Sequence, residues 1–209
     1  MEQFNRRQVV QGAAVAAACG LASSSGCASS GTQSREDAAA GSAGGKNSSF
    51  TPLQEGGSID VGGHAQEMID KASQHGEDLM RQHGGCTRCI VAALQQAMPF
   101  VPDDPGLRRA ACCVDGGATP TGTHSCGAFT GAGMFLGYVC GSADFQKVPL
   151  PRKLLRQVHQ KFEKEYGSVL CRDIKPKAVG GCPKVVGLAA EWTAQALLAE
   201  FAGPKSGPS

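Results

Sequence analysis

Aromatic side chains make up only 5% of this chain, and no basic block alternates with them. Nucleic-acid binding needs a basic footprint or a stacking platform, so that class of partner is excluded. Charge of one sign is lacking as well. The 20 Lys and Arg stand against 18 Asp and Glu, a net charge of +2 spread along the chain. Nothing in the body of the sequence alternates convincingly with the period of two that marks a half-buried strand. No Ser/His/Asp set or pair of carboxylates stands out to support hydrolysis, and the few histidines are scattered on helix faces.

Cysteine, by contrast, is plentiful: ten residues in 209. A chain of this length can bury a core without cross-links, so a disulfide scaffold is available to it but not forced.

The first 27 residues do not read as part of the fold. Arg6-Arg7 precede an apolar, alanine-rich run from Val9 to Leu21, and small residues and Cys27 follow. That order of charged, apolar and small regions is a secretory signal, and the run is too short and weakly apolar for a comfortable membrane span. The arginine pair resembles the twin-arginine variant. Cys27 resembles a bacterial lipoprotein attachment site, although Ser24 stands where Leu or Val is usual; Cys19 is a weaker second candidate. The expected location is the periplasm or the outer face of a bacterial membrane. Membrane contact comes only through a lipid anchor, if Cys27 is acylated rather than lost by simple cleavage. Residues 28–58 are Ser, Gly, Ala and isolated charges, a composition that reads as a flexible linker. The folded domain is expected over 59–203, with a disordered tail over 204–209.

Within 59–203 the pattern is helical throughout. From Asp60 to His83, Ala65, Met68, Ile69, Ala72, Gly76, Leu79 and Met80 recur at helical spacing, and Gly84-Gly85 end that helix. His64, His75 and His83 read as solvent-facing, with His83 notable for its closeness to Cys86. A second helix starts at Cys86 and stops before Pro99; a short one runs through Leu107 to Cys113 until Asp115-Gly116-Gly117 breaks it. The segment Gly117 to Gly122 lacks the Gly-Lys-Ser/Thr ending of a phosphate loop and carries no weight as one. Cys126-Gly127-Ala128-Phe129-Thr130-Gly131 opens an apolar, glycine-dotted helix. Pro151 to Gly167 is amphipathic, with His159 on its solvent side, and Ser168 caps a short turn holding Cys171. Cys182-Pro183 starts a long last helix, with Cys182 as the expected N-cap. The expected fold is all-α, a compact bundle of about five to six helices with cysteines at helix N-termini. Helix N-termini favour thiolate over thiol, so these sulfurs are expected to be reactive.

Four cysteines share one setting: Cys86, Cys126 and Cys182 begin helices, and Cys171 follows a turn behind a helix stop. Their separations are too wide for a zinc ribbon or knuckle, whose ligands come in close pairs. Thiolates assembled over long range on a helical scaffold fit an iron–sulfur cluster or a redox dithiol better. Cys86-x-x-Cys89 is followed by Ile90, not His, which excludes c-type haem attachment.

At these residues the chain resembles the C-GCAxxG-C-C family of redox-active proteins. The landmarks are Gly85-Cys86, Gly116-Gly117 upstream of Cys126 to Gly131, Phe162 through Tyr166 to Arg172 around Cys171, and Cys182 with Val186, Ala189, Ala190 and Glu191. The resemblance implies a helical domain whose four cysteines carry redox chemistry. Split-Soret cytochromes c look like relatives that hold an iron–sulfur centre on such cysteines. The implied cofactor is a [2Fe–2S] cluster on Cys86, Cys126, Cys171 and Cys182. Cys89, Cys112, Cys113 and Cys140 are additional to that set and are expected to form one or two structural disulfides or to enlarge the metal site.

Three functions follow in order. First stands an exported electron-transfer protein with an unidentified redox partner. A metal-free thiol–disulfide oxidoreductase is second, and a non-catalytic, disulfide-stapled envelope lipoprotein third. Whether two copies share a site is left open by the sequence, as is whether the protein is an enzyme. Mass spectrometry of the exported form tests the leader: an acylated Cys27 at its start establishes the lipoprotein reading, and an unmodified N-terminus beyond residue 27 overturns it.

Overall fold

The computed structural model describes residues 50–118 and 120–203. The expected signal segment, Cys19, Cys27, most of the linker and the tail lie outside these described residues. Seven α-helices and one 3₁₀ turn follow in order: α1 Ala65–His83, α2 Cys86–Ala97, α3 Pro105–Ala110, the 3₁₀ turn Ala111–Cys113, α4 Gly127–Cys140, α5 Leu150–Tyr166, α6 Cys171–Ile174 and α7 Gly181–Phe201. The protein is all-α, as its periodicity predicts; among the described residues one isolated antiparallel bridge joins Ser125 and Leu170. Among the described residues no helix is long and apolar enough to cross a membrane.

Helix α7 is the hub. It packs against α1, α2, α4 and α5, which is why its buried residues, from Val185 through Trp192 to Phe201, are spread round the helix rather than along one stripe. Helices α1 and α5 are amphipathic and each bury a single face. Leu154, Val158, Phe162 and Tyr166 supply that face on α5. Phe162 joins three helices, with ring centroids 5.6 Å from Phe129 of α4 and 5.3 Å from Trp192 of α7, both edge-on.

Two helix pairs cross unusually closely, and glycine is the reason. A Cβ on Gly131 of α4 would lie 2.3 Å from Ile90 Cγ2 and 2.8 Å from the Thr87 carbonyl of α2. A Cβ on Gly187 of α7 would lie 2.5 Å from Glu77 Cγ and 3.0 Å from the Ser73 carbonyl of α1. The backbones approach to a distance that any side chain would forbid.

The structure differs from the expected boundaries in three places. Helix α1 begins at Ala65 because Gly62 and Gly63 both take positive φ (54° and 81°) and form a turn ahead of it. Helix α7 begins at Gly181 with Gly180 as its N-cap, so Cys182 lies inside the first turn rather than capping it. The end of the expected linker is packed rather than loose. Phe50 stacks on Tyr138 (5.5 Å, 5° between planes), the Leu53 N–H donates to the Val139 carbonyl and the Ile59 N–H to the Phe201 carbonyl, both at 2.8 Å. Those few apolar side chains suffice to hold residues 50–61 against the bundle.

His75 also departs from its solvent-facing reading: it is half-buried and its Nδ1 is buried without a hydrogen-bond partner.

Gly131→Ala is expected to lower unfolding free energy by about 1–3 kcal/mol through overpacking. Gly137→Ala, with open space around the added Cβ on the same helix, should be neutral or stabilise by about 0.5–1 kcal/mol. Urea midpoints of the two variants check both; equal losses would contradict the close crossing.

Candidate functional site

The four cysteines singled out by the sequence face one cavity. Cys86, Cys126, Cys171 and Cys182 all line a space of about 540 Å3 bounded by the starts of α2, α4, α6 and α7 and by the loop before α4. Each is carried there by a different local device.

Cys86 is the first residue of α2, after Gly85 in the left-handed region (φ 81°). The start of that helix is capped from a distance. Asp115 Oδ1 accepts from the Thr87 N–H at 2.6 Å, and the Thr87 hydroxyl donates to the Val114 carbonyl at 3.0 Å. Cys126 is the N-cap of α4, fixed by its own N–H donating to the Val169 carbonyl at 2.8 Å. Cys171 opens α6; its N–H donates to the His124 carbonyl at 3.0 Å. The turn before it is held by Ser168, whose hydroxyl accepts from the Leu170 N–H (3.0 Å) and donates to Asp173 Oδ2 (2.8 Å). The segments around Cys126 and Cys171 are thus stitched together along the Ser125–Leu170 bridge.

Two glycines exist because sulfur and chain need their space. A Cβ on Gly127 would stand 2.3 Å from Cys86 Sγ, and one on Gly117 would stand 2.7 Å from Cys171 Cβ. Gly116, Gly117 and Gly122 all take positive φ (60°, 67° and 74°). The Gly122 N–H donates to Gly116 and the Arg172 N–H to Gly122, each at 3.0 Å. Gly116, Pro120, Thr121 and Gly122 line the cavity rim.

The electrostatics overturn the expectation of ready thiolates. Burial pushes the Cys126 thiol up to about 12; neighbouring Cys86 and Cys171 push the same way, and the backbone N–H groups of Ala128 and Phe129 offset only part of this. Burial likewise raises Cys86, against the pull of the Gly116 N–H, with Asp115 and Cys182 adding to the rise. Cys171 is raised by burial and by Cys182, while Lys175 acts in the opposite direction. Helix-start N–H groups do reach sulfur, but desolvation and mutual repulsion outweigh them.

The remaining cysteines stand elsewhere. Cys89 is buried on α2 and its thiol donates to the Gly84 carbonyl at 3.0 Å. It lines a separate pocket with His83 and Arg88, so His83 attends Cys89 rather than Cys86. Cys112 and Cys113 are exposed on the 3₁₀ turn, where Arg88 Nη1 approaches Cys112 Sγ at 3.8 Å. Cys140 is fully buried in the core, and burial raises its thiol to about 12. All eight described cysteines are free thiols. Among the described residues no three Cys, His, Asp or Glu side chains are gathered at the spacing of a single metal ion.

Sequence reading missed Asp115, Arg172 and Lys175, which line the same cavity. Asp115 had a signal, an acidic residue just ahead of a glycine pair; that it would cap a helix 28 residues upstream had none.

A family model described as "Putative redox-active protein (C_GCAxxG_C_C)" matches residues 85–196, which include all four cavity cysteines. No curated protein and no solved structure matches the chain. The signature spelled in that description reads Gly-Cys-Ala-x-x-Gly. This chain keeps Ala128-x-x-Gly131 in register and exchanges the two residues before it, Cys126 preceding Gly127. The exchange puts the sulfur on the N-cap and leaves the first helical position bare, where the Cys86 sulfur lies against it.

In reduced, metal-free protein at pH 8, iodoacetamide should label Cys126 and Cys140 at least about a hundredfold more slowly than exposed Cys112 and Cys113, because thiolate is the reacting form. Raising the pH towards 12 should speed labelling of Cys126 and Cys140 continuously. The same raised values make folded protein lose stability as pH climbs from the ordinary thiol range, about 8.5, towards 12. Peptide mapping by mass spectrometry checks the order of labelling, and early labelling of Cys126 contradicts it.

Proposed function

The chain belongs to the C_GCAxxG_C_C family of redox-active proteins, and on that premise we propose that it transfers electrons through an iron–sulfur cluster held by Cys86, Cys126, Cys171 and Cys182. The carrying observation is the convergence of these four sulfurs, from four separate elements, on one cavity.

The donor set fits such a group. Burial and neighbouring cysteines hold the Cys86, Cys126 and Cys171 thiols up, and a metal cluster among them would supply positive charge at the sulfurs themselves. The N–H groups of Gly116, Ala128 and Phe129, already directed at sulfur, would stabilise thiolates once formed and tune the centre's potential. When bound, the cluster supplies one-electron chemistry. The chain's own part is to hold and screen it. Gly127 and Gly117 keep sulfur and chain close-packed, and Ile174, Val185 and Val186 line the cavity with apolar surface. We place this activity outside the cytoplasm, on the strength of the twin-arginine-like leader around Arg6 and Arg7.

A second reading, a metal-free dithiol, draws on the same convergence, since sulfurs facing one cavity can also pair. Both readings need the thiolate that burial opposes at Cys126; a metal cation brings with it the charge that stabilises a thiolate, whereas a metal-free dithiol must form one without it.

Anaerobic purification decides between them. The cluster reading expects a coloured protein with iron near two per chain. Cys126→Ser should abolish colour and iron, and Cys140→Ser should retain both. Colourless protein whose thiols cycle with mild reductant would establish the dithiol instead. If the two serine variants behave alike, the division of the cysteines into site and core fails.

A further inference from the structure

The sulfur cavity offers more than four cysteines use. Its volume, about 540 Å3, falls within the roughly 300–1,000 Å3 typical of small-molecule sites. Met80, Ile174, Val185 and Val186 give it apolar surface, and Arg172 and Lys175 bring cations to it beside Cys171.

Lys175 has no ion-pair partner among the described residues, and Arg172 has only a loose one. The carboxylate contact of Arg172 is a 3.6 Å approach of Nε to its sequence neighbour Asp173, whose other oxygen is taken by Ser168. Lys175 makes no ion pair among the described residues. Lys177, two positions on, shows the contrast: its Nζ donates to the Tyr166 carbonyl at 2.5 Å and closes the end of α5. The carboxylate that lines the cavity, Asp115, is engaged by the Thr87 N–H. Two exposed cations beside apolar surface, one unpaired and one in a loose pair, are the complement of an acid group on an apolar body.

We propose that this cavity binds a small organic anion, with Arg172 and Lys175 holding its carboxylate and Met80, Ile174, Val185 and Val186 its apolar body. The proposal deepens the redox reading, on which it rests for any chemistry at sulfur: it names the class of molecule that reaches the centre. The contacts proposed for the anion are the two cations and the apolar wall rather than sulfur, so its binding is measured separately from iron.

Equilibrium dialysis of radiolabelled benzoate against the full-length, anaerobically purified protein tests it. Saturable binding of one equivalent is expected, without competition from benzyl alcohol. In Arg172→Gln/Lys175→Gln the affinity should fall at least about tenfold, the scale of a lost charge-assisted hydrogen bond. Both side chains are exposed, so the variant should keep its helical circular dichroism. Absence of saturable binding overturns the proposal, as does undiminished binding by the double variant. A variant that alters colour or iron content while wild-type protein takes up no benzoate would make the two cations counter-charge for the centre alone, and the proposal would fall. Iron and thiol counts on the same preparation keep the two readings separate. Colourless, iron-free protein that still binds benzoate defeats the cluster and leaves the anion site standing; coloured protein that binds none does the reverse.

Discussion

Everything at this site depends on how closely α4 can lie against α2. The contact is made at Gly127 and Gly131, where an added Cβ would meet Cys86 Sγ and Ile90 Cγ2 respectively, each at 2.3 Å. One turn of helix thus does two jobs by leaving out two Cβ atoms. At Gly131 the absent side chain lets two backbones touch, and at Gly127 it clears room for a sulfur. Cys126 then needs no long reach to stand near Cys86, because the helix it caps is already seated against the helix that Cys86 begins.

The same closeness creates an electrostatic debt. Sulfurs brought together in an apolar setting repel one another as anions, and burial strips away the water that would screen them. Helix-start N–H groups give a partial answer, as at Cys126, where two of them point at the sulfur and the thiol still rises to about 12. Lys175, which lines the same cavity, offsets only part of the rise at Cys171.

Much of this was legible in the sequence, and the reasons are local. Helical spacing and glycine stops marked α1 and α5, because one buried face leaves a periodic trace. Cys86, Cys126 and Cys182 were legible because each stands at a helix start, and Cys171 because it follows a turn behind a helix stop; the cavity gathers all four. What was not legible depends on three-dimensional neighbours. The capping of α2 by Asp115 spans 28 residues, and no local pattern announces it. Thiolate preference was misjudged for Cys126 because a helix N-terminus is visible in sequence, whereas desolvation is a property of the packed interior. The segment before Asp60 read as loose because Phe50, Leu53 and Ile59 are sparse in it, yet each finds a place on the bundle.

That early segment has a consequence for how the molecule is oriented. Leu53 and Ile59 bond to Val139 and Phe201, at the C-terminal ends of α4 and α7, whereas Cys126 and Cys182 stand at the opposite ends of those helices. A helix of 14 residues such as α4 is about 20 Å long, so the polypeptide enters the domain at one pole and the sulfurs sit at the other. A domain held by its incoming chain would turn its sulfur pole outward, towards whatever diffuses past, with the bundle itself as the spacer.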